Sequence, residues 1–264
     1  MFDLEKTTRK VCEIAKQAGG YLKKERAAFS FDKVEQKNSH DYVSYVDKTS
    51  EKQIVEALKA LLPEAGFITE EGTATYRGET YYWVIDPLDG TTNYIHDNAP
   101  YAVSIGLRSK EETLIGVVYE VCRNECFYGW KNGGAFMDGK RISVTGNDID
   151  RALLCLDLPY RHEKYAATAH HLVDRFYGHA GGIRMNGSAA VSLCYIAAGR
   201  FDGWLEMYIG PWDFTAGALL VTEAGGTVTD FKGNKNYLEG NHIVASNGLI
   251  HTELLKTVQE RLPG

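Results

Sequence analysis

The stretch Trp83-Val84-Ile85-Asp86-Pro87-Leu88-Asp89-Gly90-Thr91-Thr92-Asn93-Tyr94 constrains this chain more than any other. The apolar run from Tyr82 to Ile85 predicts a buried strand. It gives way at once to two aspartates spaced by Pro87 and Leu88, then to a glycine and two hydroxyl residues. Pro87 fixes its own φ and holds Asp86 extended, so the chain bends here and can bring both carboxylates to one side. Two carboxylates that close repel unless a cation lies between them. Carboxylate and carbonyl oxygens are hard ligands that suit magnesium rather than zinc or copper. Gly90-Thr91-Thr92-Asn93 then predicts a helix start or tight turn whose unpaired N–H groups accept an anion such as phosphate. A strand that delivers a metal site beside a phosphate site is therefore expected, against the plainer reading of an Asx-rich surface turn.

Other acids stand at the ends of predicted elements. Asp47 opens a helix carrying Ile54, Val55, Leu58, Leu61 and Leu62, where it either caps the helix or holds water or metal. Glu70-Glu71 ends the short strand Gly66 to Thr69. Adjacent residues on an extended chain point to opposite sides, so Glu70 is expected as a direct ligand and Glu71 as a water-bridged partner. Asp213 sits at the start of the apolar helix Phe214 to Ala224, as a cap or as a carboxylate aimed at the metal site. Gly187-Ser188-Ala189, leading into another helix, permits either close approach of a ligand or close helix packing.

Residues 3–26 predict a packing helix with Asp3 as its cap. Residues 29–37 predict a strand, Pro100 to Trp130 a β-meander, Gly133 to Lys140 a hairpin and Arg141 to Val144 a further strand. From about Asp150 strands and helices alternate. This divides the chain into an N-terminal metal- and phosphate-binding lobe (1–150) and a C-terminal α/β lobe (151–264) that completes the site. The glycines near Gly133 lack both the Lys-Ser ending of a P-loop and the spacing of a dinucleotide fingerprint. His170-His171 are expected to be solvated, because neighbours on a helix face different ways.

The five cysteines are scattered and odd in number, which reads as reduced structural thiols in a cytoplasmic protein. Apolar runs fall short of the ~18 residues of a membrane span, and the charged start Met1 to Lys6 does not resemble a signal peptide. The formal net charge of −6 argues against a generic nucleic-acid binder. It also means that any bound phosphate needs positive charge from somewhere, for which a divalent metal is the economical source.

The opening stretch, with Glu70-Glu71 before it and Trp212-Asp213 followed by Thr222-Glu223-Ala224-Gly225-Gly226, closely resembles the inositol monophosphatase family of magnesium-dependent, lithium-sensitive phosphatases, in order over essentially the whole chain. The resemblance implies an α+β fold, an alternating α-β-α-β-α sandwich of the sugar-phosphatase kind, commonly a homodimer. It implies two or three Mg²⁺ ions: one on Glu70, Asp86 and the Leu88 carbonyl, a second on Asp86, Asp89 and Asp213, and a weaker third on Glu70 with Glu71 through water. Asp47 and Thr91, with Glu70, would serve the attacking water. Gly90, Thr91 and Thr92 would cradle phosphate, and Glu206 with Gly187, Ser188 and Ala189 would contact the alcohol. The implied reaction is direct attack of metal-activated water on inositol monophosphate or a similar small polyol phosphate. Rival substrates on this fold are fructose 1,6-bisphosphate, NADP, histidinol phosphate and 3′-phosphoadenosine nucleotides. A regulatory binding partner is a further alternative, as some bacterial relatives are to the transcription machinery. Thr215 departs from the smaller residue usual at its position, and nothing from Asp157 to Tyr165 carries over to substrate choice.

Overall fold

The computed structural model describes residues 2–29, 34–38, 41–158 and 162–262. Helix α1 (Leu4–Arg26) starts where the Asp3 carboxylate accepts from the Lys6 N–H (3.0 Å). A hairpin follows, β1 (Val34–Asn38) against β2 (Asp41–Ser44); the rest of the expected 29–37 strand, residues 30–33, lies outside the described residues. Helix α2 (Tyr45–Leu61) then leads through β3 (Gly66–Thr69) to β4 (Tyr81–Asp89) and the short helix α3 (Thr91–Ile95).

The meander is β5 (Ala102–Ser109), β6 (Thr113–Glu120), β7 (Glu125–Trp130), β8 (Gly134–Met137) and β9 (Lys140–Arg141). With β3 parallel to β4 and every other neighbour antiparallel, these make one seven-stranded sheet in the order β3-β4-β5-β6-β7-β8-β9. The strand expected over Arg141 to Val144 is cut short: Val144 instead donates its N–H to the Ala224 carbonyl (3.1 Å), so the chain leaves the sheet edge to meet a helix of the second half.

That half contains β10 (Leu153–Leu156), α4 (His162–Phe176), β11 (Gly182–Arg184), α5 (Ala189–Ala197), β12 (Gly203–Met207), α6 (Pro211–Glu223), β13 (Thr227–Thr229), β14 (His242–Ser246) and α7 (His251–Gln259). Its strands form a five-stranded sheet, β11-β10-β12-β14-β13.

Side-chain alternation along the strands builds three cores. Trp83, Ile85, Val103, Ile105, Leu107, Ile115 and Val117 point toward α1 and α2. Ala102, Val118 and Phe127 point the other way, into a layer filled by α5 and α6 that the second sheet closes with Cys155, Trp204, Ile243 and Ala245. The intervening residues Leu154, Leu156, Leu205, Met207 and Val244 meet α4 and α7 on the far side. The stacking is thus α-β-α-β-α, as expected.

Two close approaches fix the layers. A Cβ on Gly19 would stand 2.3 Å from the Tyr119 ring, so this glycine of α1, and not its neighbour Gly20, lets the helix lie against β6. On the opposite face, a Cβ on Gly116 would stand 2.5 Å from the Ala216 carbonyl of α6. The departure at Thr215 is absorbed in the same way. Its hydroxyl donates to the Pro211 carbonyl (2.6 Å), and its methyl lies 2.7 Å from where Gly106 would carry a Cβ.

Candidate active site

The two aspartates of the opening motif come together through a bulge. Strand β4 does not end at Ile85 but runs through Asp89, entirely buried from Tyr82 onward. In register with β5, Asp86 faces Ser104 and Asp89 faces Ala102, so Pro87 and Leu88 together oppose one residue. Residues three apart in an unbroken strand point to opposite faces; the extra residue restores both carboxylates to the same one. A proline is tolerated there because a bulge frees it from the ladder. The Leu88 N–H donates to Asp86 Oδ1 (2.9 Å).

Asp213 arrives from α6. It is the third residue of that helix, not its cap, and its Oδ2 accepts from the Gly210 N–H (2.6 Å). Ser104, opposite Asp86, donates to the Trp212 carbonyl (3.2 Å) and pins this helix start to the sheet. Asp86, Asp89 and Asp213 each present an oxygen, and these oxygens lie within 4.8 Å of one another. Glu70, at the end of β3, lines the same cleft, which has a volume of about 650 Å³. Glu71 does not line it.

Asp47 repeats the arrangement of Asp213. It is the third residue of α2, where Oδ2 accepts from the N–H (2.9 Å) and hydroxyl (2.6 Å) of Ser44. Its other oxygen is thereby aimed at Thr91, whose hydroxyl lies 3.3 Å from Asp47 Oδ1 and 3.0 Å from the Leu88 carbonyl. Capping and presentation are one geometry: the helix start takes one oxygen of Asp47 and leaves the other facing Thr91. Gly90 precedes α3 with φ +88°, and a Cβ there would crowd the carbonyls of Pro100 (3.0 Å) and Gly187 (3.2 Å). The first N–H groups of α3, from Thr91 to Asn93, lack helical partners, and Gly90, Thr91 and Thr92 all line the cleft.

Ser188 and Ala189 also line the cleft, but the Ser188 hydroxyl is turned inward and donates to Asp89 Oδ2, which takes a second bond from the Ala190 N–H (3.0 Å). Asp89 thus also sits at the N-terminus of α5. Gly187, with φ +69°, lies against the Asn93 amide, which donates to the carbonyls of Pro100 (2.8 Å) and Asn186 (3.0 Å). Glu206 leaves the end of β12 for the cleft, and its Oε2 is buried without a hydrogen-bond partner among the described residues.

Electrostatics single out this cluster. Burial, then the charges of Glu70, Asp89 and Asp213, push Asp86 well above the usual carboxylate range. Asp213 rises likewise through burial and then Asp89 and Glu70, and Glu206 through burial and then Asp157, Asp213 and Asp89. Asp89 is pushed by burial to about 7, although the bonds from Ser188 and Ala190 pull it down. Among the described residues, none that lines the cleft is Lys, Arg or His. Hard oxygen donors, crowded and uncompensated by protein cations, fit a divalent metal such as magnesium.

Two carboxylates that build the site went unrecognised in the sequence. Glu51, buried one turn beyond Asp47, accepts from the N–H groups of Glu71 (2.7 Å) and Thr73 (2.8 Å), and so sets the turn that presents Glu70. Its spacing of four from Asp47 on one helix face was an available signal. Asp157 accepts from the N–H groups of Asn186 (2.8 Å) and Gly187 (2.9 Å) through Oδ1, and from the Trp204 indole (2.9 Å) through Oδ2. No local pattern marks it. His170 is exposed, as expected, and His171 is half-buried, its ring 3.0 Å from Glu260 at the surface.

The model of the inositol monophosphatase family matches residues 3–262. The chain is 39% identical over 250 residues to the Nus factor SuhB of Escherichia coli K12, covering 94% of each, and 39% identical over 255 residues to that of Pseudomonas aeruginosa, again covering 94% of each. Among solved structures, the extragenic suppressor protein suhB of Bartonella henselae superposes with a TM-score of 0.88 at 32% identity, over 96% of this chain and 98% of that one. The inositol monophosphatase of Anabaena gives a TM-score of 0.88 at 30% identity, over 99% and 98%.

Proposed function

The chain belongs to the inositol monophosphatase family, and from that premise we propose that it is a magnesium-dependent phosphomonoesterase acting on inositol monophosphate or a similar small polyol phosphate. The observation that carries this reading is the convergence of Asp86, Asp89 and Asp213 from a bulged strand and a helix start on one cleft that has no basic side chain among the described residues. Asp86, Asp89 and Asp213, with Glu70 and the Leu88 carbonyl, are the groups that would hold the metal. Bound magnesium supplies a Lewis acid that lowers the pKa of water and offsets phosphoryl charge.

The chain's own groups account for the rest. The leading N–H groups of α3, after Gly90, bind the phosphate through Thr91 and Thr92. The attacking water is oriented by the Thr91 hydroxyl, and Asp47, within reach of that hydroxyl (3.3 Å), accepts its proton. Water oxygen bonds to phosphorus, the bond from phosphorus to the alcohol oxygen breaks, the alcohol oxygen takes a proton from solvent water, and the proton held by Asp47 returns to solvent. Glu206, with a buried oxygen to satisfy, accepts a hydroxyl of the alcohol, and the Gly187 turn forms the wall beside it.

Among the described residues the cleft lining has no cationic side chain to meet a second phosphate beyond the reach of the metals. Fructose 1,6-bisphosphate, NADP and 3′-phosphoadenosine nucleotides therefore rank behind a monophosphate of a neutral alcohol. Released phosphate, measured over that panel with and without magnesium, tests the reading. Turnover of bisphosphates above monophosphates refutes the ranking, and no turnover of any compound refutes the activity.

A second reading draws on the name Nus factor carried by the 39% identical relatives: a partner-binding role on the same scaffold, possible beside catalysis because the helical layers outside the cleft are untouched by it. Pull-down with Asp89→Asn separates the two. Capture that survives the substitution while phosphate release is lost supports a separate binding role, and loss of both ties any binding to the metal site.

A further inference from the structure

Tyr208 occupies a conformation its side chain disfavours. Its φ is +65°, and the four other non-glycine residues with positive φ among the described residues are Asp97, Asn124, Asn132 and Asp138, all of the types that tolerate the left-handed region. A tyrosine gains nothing there that glycine would not hold at lower cost. The backbone is fixed from outside: the Tyr208 and Ile209 N–H groups both donate to the Asn241 carbonyl (2.6 and 3.3 Å), just beyond the Met207–His242 end of the β12–β14 ladder. The ring is not stored in the core. It is 40% exposed and lines the cleft two residues beyond Glu206, beside Asn241. Behind it stands Tyr165, fully buried, with ring centroids 6.1 Å apart, and Tyr165 is itself held edge-on to His242 at 5.7 Å. The phenol is thus a braced aromatic wall on the side of the cleft where Glu206 waits for the alcohol.

Strain retained at a cleft residue, with the ring kept out of the core, points to a contact with ligand. We propose that Tyr208 is a specificity-determining residue for the leaving alcohol. It gives the C–H face of a ring-shaped polyol a surface to lie on while a hydroxyl of the same ring donates to Glu206. The inference rests on the phosphomonoesterase reading for the identity of the reaction, but the contact it describes can be measured without turnover. An acyclic alcohol such as glycerol has no flat face to offer and gains nothing from the ring.

The test compares myo-inositol 1-phosphate with glycerol 2-phosphate on the wild type, Tyr208→Gly and Tyr208→Phe. Glycine accepts the backbone conformation, so Tyr208→Gly is expected to melt no lower than the wild type, and a folding defect does not obscure the result. In Tyr208→Gly the KM for the inositol phosphate rises relative to that for the glycerol phosphate by about tenfold, the scale of one lost aromatic contact, with the change in KM and not in kcat. Tyr208→Phe restores most of the preference, since the ring face and not the hydroxyl makes the contact. Calorimetric titration of the two phosphates, with magnesium, into the same three proteins carrying Asp47→Asn reads the preference without turnover. Absence of phosphate release from the wild type would overturn the phosphatase reading alone; the titration would still decide on Tyr208. Equal weakening of both ligands by Tyr208→Gly, or no change in either, overturns the proposal.

Discussion

Removal of the metal should make this fold pH-sensitive in a direction opposite to ordinary acid denaturation. Asp89 is buried, and without a cation its carboxyl rises from 3.8 to about 7. Between those values the folded state holds a proton that the unfolded chain has released. The stability from this group is therefore fully present below 3.8 and is lost as the pH rises through 7. The whole displacement corresponds to about 4 kcal/mol, of which roughly 2 kcal/mol falls between pH 5 and 7. That is a large share of the ~5–15 kcal/mol that holds a domain together. Asp86, Asp213 and Glu206 are displaced in the same direction. Half-buried His242 and buried His251, both lowered chiefly by burial, work the other way over the same range. The decisive comparison is thus with Asp89→Asn, which removes one titration and keeps an oxygen for Ser188 and Ala190. Urea unfolding in chelator, at intervals from pH 5 to 8, is expected to show the wild type losing roughly 3 kcal/mol relative to Asp89→Asn. Millimolar magnesium should abolish the difference or invert it. Parallel pH curves for the two proteins in chelator would refute the claim that crowded, buried carboxylates destabilise the metal-free cleft.

Three further outcomes follow from the packing around the cleft. Glu51→Gln leaves one of the Glu71 and Thr73 N–H groups without its charged acceptor, and should cost about 2 kcal/mol in urea unfolding while weakening magnesium binding measured by calorimetry. Asp157→Asn can satisfy only part of the set formed by Asn186, Gly187 and Trp204, and should lower stability by about 2–3 kcal/mol and speed amide exchange at Gly187. Gly116→Ala drives a methyl to 2.5 Å from the Ala216 carbonyl, and should destabilise by about 1–3 kcal/mol in thermal or urea unfolding, because backbone on both sides has to yield.

Most of the layered fold was legible because its cores follow simple patterns: apolar runs along β4 to β7, and helical stripes in α1 and α2. The clustered carboxylates were legible because Asp86, Asp89 and Asp213 stand at breaks in apolar runs. The bulge was not, since a proline between two acids fits an ending strand as well as an interrupted one; only the register with Ser104 and Ala102 distinguishes them. Ser188 was read as a place for a ligand because small residues opened a helix, whereas its hydroxyl is spent on Asp89, a partner 99 residues away in the chain. Asp157 escaped for the same reason: everything it binds, except its near neighbour Cys155, comes from distant segments. Thr215 looked too large until Gly106 appeared opposite it. Local sequence reports what a residue can do, and long-range pairing decides which option is taken.

The central claim is that Asp86, Asp89 and Asp213 form one divalent-cation site that serves phosphate release. It is tested most directly by titrating magnesium into the wild type, Asp89→Asn and Asp213→Asn, while following bound metal and phosphate freed from myo-inositol 1-phosphate in the same samples. The wild type is expected to saturate in both signals together, and each variant to lose both, with turnover falling by several powers of ten. Undiminished phosphate release from either variant, or metal binding that ignores both substitutions, would contradict the account.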